Sequence, residues 1–132
     1  MAARRSDWQN TPLPERRDHL SFEHRYSSDE FARLCEGVIP QEMEDKWFVY
    51  FEEPWLYLHR SWTGFCVYQV RFAPTEDTAS VAEVLVSRDP EEYTETDSTR
   101  DTLRLAYLLD SFAGRETEAA WQLYVTSLPP RA

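Results

Sequence analysis

The chain has 132 residues, 42% of them hydrophobic and 14% aromatic, which suffices for one globular domain and excludes a disordered chain. Its 14 basic and 24 acidic residues leave a net charge of −10, which repels phosphate backbones and disfavours nucleic-acid binding. No apolar run is long enough to span a membrane, and polar residues follow the N-terminal Met-Ala-Ala-Arg-Arg where a signal peptide would be apolar. We therefore expect a cytoplasmic protein that does not bind membranes.

The first 26 residues show neither a helical nor a strand period, and Pro12 and Pro14 interrupt any helix there. The sequence predicts that residues 1–26 form a partly extended arm. It predicts that residues 27–128 form a single domain.

The predicted domain begins with a helix. Ser27 and Glu30 have the spacing of a capping box, in which each side chain bonds the backbone N–H of the other residue. An apolar stripe at helical spacing follows, and Gly37 and Pro40 mark the end of the helix.

Four runs rich in aromatic and β-branched residues come next, at 46–52, 55–60, 65–72 and 81–87. Short polar turns separate them, which is typical of antiparallel hairpins and predicts a four-stranded antiparallel meander. The first run is apolar on both faces, so both faces of the sheet need a cover. Helices can cover one face, and the N-terminal arm or a partner protein could cover the other.

Two helices are predicted after the strands. Ser98 is positioned to cap the first, which Gly114 ends, and the second runs over about 117–127. Because the strands are followed by helices and do not alternate with them, the class is α+β. The predicted architecture is a four-stranded meander packed against an N-terminal helix and two C-terminal helices.

The aromatic residues are concentrated in one block, 47–72, which holds 10 of the 19 in the chain. Trp55, Tyr57 and Trp62 in this block are large, rigid and amphipathic. Together with Arg60 they have the composition of a protein-interface hot spot, although most aromatic side chains in strands pack in a core.

His59 and Arg60 lie side by side at the centre of the block. On a strand they point to opposite faces. Near tyrosine and glutamate side chains His59 could serve as a general base, or it could be only a hydrogen-bonded histidine at a sheet edge.

The polar loop 89–97 is rich in acidic residues. Glu91, Glu92 and Asp97 in this loop are candidate contacts for a partner with a basic surface. The acids of this region have no glycine at the turn position of an EF-hand, and neither histidine nor cysteine spacing fits a metal site, so we predict no bound metal. Cys35 and Cys66 are predicted to be free thiols.

No catalytic motif is present. The chain has no glycine-rich phosphate loop, no nucleophile elbow and only three glycines, so we predict no cofactor and assign no catalytic residue. Binding is therefore the expected activity, and enzymatic activity remains open.

Three stretches resemble a group of small uncharacterised bacterial proteins: Met43–Phe48, Trp55–Tyr68 with the core His-Arg-Ser-Trp-Thr-Gly, and Val86–Tyr93. Some members of that group carry labels linked to ADP-ribosylation. The resemblance implies an immunity or antitoxin-type role, in which a small acidic protein occupies the active site of a toxin.

Two hypotheses follow. In the first, the chain is an acidic binding protein that inhibits a toxin through Trp55, Tyr57, His59, Arg60, Trp62, Glu91, Glu92 and Asp97. In the second, it binds or acts on a nucleotide or ADP-ribose-like ligand through His59 and Arg60, with the arginine holding a phosphate and an indole stacking on a base.

Overall fold

The computed structural model describes residues 2–42 and 44–128; Met1, Met43 and 129–132 lie outside the described residues. The strands and helices are β1 (Arg17–Leu20), β2 (Arg25–Ser27), α1 (Ser28–Glu36), β3 (Trp47–Glu52), β4 (Trp55–Arg60), β5 (Cys66–Pro74), β6 (Thr78–Ser87), α2 (Ser98–Ala113) and α3 (Glu118–Ser127). Within the described residues, one antiparallel sheet and three α-helices make the mixed α+β domain that the sequence predicts.

The described strands form one six-stranded sheet, so the predicted number of four is corrected. The spatial order is β1-β6-β5-β4-β3, and β2 also pairs with β6. Both additional strands come from the N-terminal region: Arg17 pairs with Ser87, and Ser27 pairs with Thr78 at the other end of β6. Pairing satisfies the backbone groups along the edge of β6. Strands of four and three residues are too short to show a period in the sequence.

The predicted capping box of α1 is confirmed. Ser27 Oγ accepts from the backbone N–H of Glu30 at 3.2 Å, and Glu30 Oε1 accepts from the backbone N–H of Ser27 at 2.8 Å. The helix ends at Gly37, whose φ of +72° is accessible mainly to glycine.

The N-cap of α2 differs by one residue from the prediction. Asp97 Oδ1, not the Ser98 hydroxyl, accepts the backbone N–H of Arg100 at 3.1 Å, and Ser98 is the first helical residue. A carboxylate at this position also interacts favourably with the positive end of the helix. Asp97, predicted to be a partner contact, thus has a structural role in the fold.

The two faces of the sheet bury different cores. Helices α1 and α2 cover the face that carries Val49 and Leu58, and Leu105 and Leu109 of α2 are fully buried there. The opposite face is covered by the N-terminal residues. Their contacts are in two smaller clusters, which include Ala3 with Phe48 and Tyr50, and Leu13 with Cys66 and Leu85.

The N-terminal segment is also joined to the domain by hydrogen bonds. The Ala3 N–H donates to Glu36 O at 2.7 Å, and the Thr11 N–H donates to Gly64 O at 2.8 Å. Trp8 Nε1 donates to Ser61 O at 2.7 Å. The N-terminal arm, and not a partner protein, therefore covers this apolar face of the sheet.

Of the helices in residues 2–42 and 44–128, none combines the length and apolar character needed to cross a membrane.

Candidate ligand-binding cleft

A cleft of about 630 Å³ opens between the β3–β4 edge of the sheet and helices α2 and α3. Its volume is in the range of small-molecule sites. The side chains that define its chemistry are Trp47, Arg60, Arg104, Tyr107, Trp121 and Tyr124.

Trp47 and Arg60 are brought together by strand register. They are direct cross-strand partners on β3 and β4, and they point to the helix-covered face of the sheet. The Arg60 guanidinium carbon lies 5.3 Å from the centre of the Trp47 ring. This distance is within the range of a cation–π interaction.

Arg104 reaches the same indole from α2. Arg104 and Leu108 are one helical turn apart and both line the cleft. The Arg104 guanidinium carbon lies 5.1 Å from the Trp47 ring centre, so two guanidinium groups share one indole. The pair is 44 residues apart in sequence (104 minus 60) and meets only through tertiary packing.

Neither guanidinium forms an ion pair within the described part of the chain. Burial and the neighbouring Arg104 charge lower the pKa of Arg60. Burial also acts to lower the pKa of Arg104, but the surrounding Tyr68, Tyr93 and Tyr124 outweigh it and the net shift is upward. Both groups are charged at neutral pH because an arginine pKa lies far above 7.

The rim of the cleft carries charges of both signs. Lys46 adds a third cation, and Glu44 and Asp45 add two carboxylates. The Asp45 carboxylate already accepts the backbone N–H groups of Gln41 and Glu42 at 2.9 and 3.2 Å. Three cations and two carboxylates give a local charge of +1, in a chain whose net charge is −10.

Aromatic rings form the helical wall of the cleft. Tyr107 and Trp121 have ring centres 4.9 Å apart, and Trp121 and Tyr124 have ring centres 6.0 Å apart. Trp121 is 41% exposed, so part of its ring is open to a ligand. The end of α3 is held to α2 because Arg100 Nε donates to Ser127 O at 3.1 Å.

A buried network positions Arg104. Its Nη1 donates to the Tyr93 hydroxyl at 3.1 Å, and that hydroxyl donates to Asp101 Oδ1 at 2.6 Å. Tyr68 donates to the same carboxylate oxygen at 2.8 Å. Asp101 is 0% exposed and its Oδ2 lies 2.7 Å from Arg88 Nη2, so the buried charge is paired.

The structure separates the two residues that the nucleotide hypothesis combined. Arg60 lies in the cleft, whereas His59 points to the opposite face of the sheet and is 1% exposed. His59 packs beside Tyr50, with ring centres 5.5 Å apart, under the N-terminal segment. One small ligand in the cleft therefore does not contact His59.

The other aromatic residues that were predicted to contact a partner lie outside the cleft as well. Tyr57 and Trp55 are half-buried on the arm-covered face, where Tyr57 stacks on Tyr50 with ring centres 4.9 Å apart. Trp55 lies beside Arg71, whose guanidinium carbon is 6.0 Å from its ring centre. Trp62 is 69% exposed in the turn between β4 and β5.

The predicted acidic contacts lie in the loop between β6 and α2. Glu91 is exposed, whereas Glu92 is half-buried and burial raises its pKa. Tyr68 of β5 pairs with Val86 of β6, so the turn containing Trp62 and this loop lie at the same end of the sheet.

Sequence reasoning identified Arg60 but missed Trp47, Arg104, Tyr107, Trp121 and Tyr124 as its neighbours. The one available signal was weak: Arg104 stands next to Leu105 and Leu108 on the apolar side of a predicted helix. A cation there often extends its charged end to solvent along the apolar surface, so its position alone indicates no site.

No metal site is formed in residues 2–42 and 44–128, where no three His, Cys, Asp or Glu side chains gather suitably. Both cysteines are free, and burial raises the pKa of the Cys66 thiol to about 12. Comparison with protein-family models, curated proteins and solved structures finds no match. The fold and the cleft define an α+β protein with an arginine-lined aromatic cleft.

Proposed function

We propose that this protein binds a small anionic ligand with a planar ring, of the nucleotide class, in the cleft around Trp47. The observation that carries the proposal is the pair of guanidinium groups, Arg60 and Arg104, on one indole without an ion-pair partner in the described chain. An anionic group between them would offset their mutual repulsion and accept charge-assisted hydrogen bonds.

The aromatic wall of the cleft is the observation that supports a planar ring in the proposed ligand. A planar ring can stack on the partly open Trp121 or on Tyr107, while its charged group lies near the arginines. The net charge of −10 opposes the approach of an anion. This long-range repulsion is strong only at low salt, because charges more than about 8 Å away are screened at physiological ionic strength.

The test is a titration of the protein with ADP, ADP-ribose, adenosine and inorganic pyrophosphate. Binding is measured by calorimetry and by the change in tryptophan fluorescence. ADP or ADP-ribose is expected to bind more tightly than adenosine, which lacks the charge, and than pyrophosphate, which lacks the ring. Arg60→Gln or Arg104→Gln is expected to weaken binding about 10- to 100-fold, the usual effect of losing charge-assisted hydrogen bonds.

Arg71→Gln is a matched control. Arg71 also lies over an indole, Trp55, but its Nε is 3.2 Å from Glu83 and its charge is already paired. It is expected to leave binding unchanged. The proposal is wrong if no probe binds, or if Arg71→Gln weakens binding as much as Arg60→Gln does.

A second candidate function is inhibition of a toxin with a basic surface, the role that the resemblance to a group of small uncharacterised bacterial proteins implies. The exposed Trp62 and the acidic loop with Glu91 support it, because sheet topology brings both to one end of the molecule. An exposed indole at the same end of the sheet as exposed carboxylates suits a hot spot and electrostatic steering toward a basic partner.

The second candidate is tested by co-expressing the chain with the product of the neighbouring gene in its native host. The cells are expected to survive with the native chain, and survival is expected to be lost with the double variant Trp62→Ala, Glu91→Lys. Glu76→Lys, in the turn between β5 and β6 at the other end of the sheet, is the control for the charge change. Equal rescue by all three proteins, or no rescue by any, contradicts this candidate.

A further inference from the structure

Helix α3 packs on α2 with one side and exposes the other to solvent. On the inner side Trp121 packs beside Tyr107, with ring centres 4.9 Å apart, and Arg100 Nε of α2 donates to Ser127 O at 3.1 Å. No residue of α3 is fully buried. Of the five exposed large hydrophobic side chains in the described part of the chain, four belong to α3 and the residue that follows it: Trp121, Leu123, Val125 and Leu128.

The outer side of α3 carries a continuous stripe of exposed residues. They recur at positions i, i+3, i+4 and i+7, which lie on one face of a helix: Ala119, Gln122, Leu123 and Thr126. Together with Ser127 they line a shallow depression of about 610 Å³. Leu123, in the middle of the stripe, is 60% exposed. This spacing is the one through which a helix packs against another helix.

The stripe carries no charged residue. Glu118 is the one charged residue of α3, and its Oε1 accepts from Gln122 Nε2 at 3.3 Å in the first turn. The exposed residues of α1, by contrast, include Asp29, Arg33 and Glu36.

The absence of charge on the stripe indicates which partner it suits. A partner with a basic surface would be attracted to the carboxylates of this chain and would gain no electrostatic attraction from the stripe. A second copy of the chain also has a net charge of −10, so close contact between copies is costly wherever carboxylates oppose each other. The uncharged stripe avoids that cost.

We propose that α3 is a self-association surface, on which two copies of this chain pair through antiparallel α3 helices. The stripe is self-complementary about a two-fold axis between positions 122 and 123: Ala119 of one copy then faces Thr126 of the other, and Gln122 faces Leu123. The small Ala119 side chain allows the two helices to approach closely. This inference is independent of the function proposed for the cleft, because the cleft lies on the inner side of α3.

The size of the stripe determines the expected strength of the dimer. The ten residues of α3 span about 15 Å, so the contact buries less than the roughly 800 Å² per partner of a standard interface. A Kd of about 100 μM is therefore expected. Because the two copies repel at long range and the contact contains no ion pair, raising NaCl from about 20 to about 300 mM is expected to strengthen the association.

Sedimentation equilibrium of the full chain, from about 10 μM to about 1 mM, measures the association. Leu123→Glu places two carboxylates near the two-fold axis and is expected to weaken the dimer at least about 10-fold. Thr99→Glu is the matched control, because it adds the same charge at an exposed position of α2. It is expected to leave the association unchanged.

A charge-swap pair keeps the test decisive if Leu123→Glu disturbs α3. Leu123→Glu and Leu123→Lys are each expected to be monomeric alone and to associate when mixed, which requires contact between two α3 helices. The proposal is overturned if the native chain stays monomeric up to about 1 mM, or if Leu123→Glu and Thr99→Glu behave alike. Association that weakens with added salt overturns it too, since it indicates an ionic contact elsewhere. Binding of a monomeric native chain to phosphatidylcholine vesicles would assign α3 to a lipid surface and also overturns it.

Discussion

At the scale of single residues, the fold depends on a few side chains and backbone positions with no local substitute. Asp101 accepts hydrogen bonds from Tyr68 and Tyr93 and pairs with Arg88, so one buried carboxylate joins β5, the segment that follows β6 and α2. Removing one member of such a network leaves the others buried and unpaired, which costs more than the pair itself contributes. The same network places Arg104 in the cleft.

Among the three glycines, Gly37 is the position where an added methyl group meets the closest backbone atom. Its φ is +72°, and a Cβ there would lie 2.2 Å from Val49 O, a backbone atom that β3 holds in place. Gly37→Ala is expected to destabilise the protein by about 3 kcal/mol or more, the sum of backbone strain and this clash. Urea denaturation measures the change.

Gly114→Ala is the matched control for Gly37→Ala. Gly114 also has a positive φ, of +84°, but its nearest neighbours belong to the flexible Arg33 side chain. Gly114→Ala is expected to destabilise the protein by about 1 kcal/mol, the cost of a positive φ in a residue with a Cβ and no clash. Equal destabilisation by the two substitutions contradicts the role assigned to the Val49 carbonyl.

Glu30 links stability to pH. Its hydrogen bonds with Arg115, at 2.6 and 2.8 Å, and with the Ser27 N–H lower its pKa to about 2. Because the folded pKa lies below the unfolded value of about 4.3, this group stabilises the fold above that value, and the stabilisation is lost as pH falls toward 2.

Glu30→Gln is therefore expected to lower the free energy of unfolding by about 1–2 kcal/mol at pH 7 and by less at pH 3. Glutamine retains an acceptor for the capping box, so the loss reports the charge. Denaturation at both pH values measures it. Glu36→Gln, an exposed acid on the same helix, should change little, and a larger loss at pH 3 than at pH 7 contradicts the assignment.

At the scale of elements, the N-terminal segment acts as a second layer over the sheet. It covers an apolar face that a six-stranded sheet would otherwise expose, and it supplies β1 and β2 to the edge of β6. The backbone bonds from Ala3 and Thr11 and the indole bond from Trp8 hold this layer to α1 and to the β4–β5 turn.

The cover can be measured through Cys66, a fully buried thiol that packs with Leu13 and whose pKa burial raises to about 12. Removing residues 1–14 is expected to speed maleimide labelling of Cys66 at least 10-fold, since exposure rises and the thiolate forms more readily. The measurement uses a Cys35→Ser background. Leu13→Ala, a milder change, should give a smaller increase, and unchanged labelling after truncation contradicts the covering role.

At the scale of the whole molecule, charge acts against compactness. Residues 29–132 carry nine basic and twenty acidic groups, a net charge of −11, whereas residues 1–28 carry five and four, a net charge of +1. The net negative charge, and so most of the repulsion, thus lies within residues 29–132. Ion pairs such as Arg115 with Glu30 offset it only locally.

Added salt is therefore expected to stabilise the protein. Raising NaCl from 10 to 200 mM shortens the screening length from about 30 Å to below 10 Å and should raise Tm by a few degrees at pH 7. Scanning calorimetry measures the shift. The same series at pH 4.7, where the sequence predicts no net charge, is the control and should show a smaller effect. A fall in Tm at pH 7 would mean that the ion pairs outweigh the repulsion.

The sequence by itself determined the features that depend on neighbours a few residues apart. The capping box at Ser27, the glycine ends of α1 and α2 and the hairpin-forming runs from β3 to β5 all follow from short-range rules. It also placed His59 and Arg60 on opposite faces, because alternation along a strand is local.

Only the tertiary structure decided which distant groups meet. It paired the short β1 and β2 with β6, brought Arg104 to the indole that Arg60 contacts, and closed the N-terminal segment over His59. No pattern of spacing encodes such pairs, because the segments that join them are long and their packing depends on the whole core. The aromatic block therefore contributes Trp47 and Arg60 to a cleft whose other wall, α2 and α3, begins 26 residues beyond its end (98 minus 72).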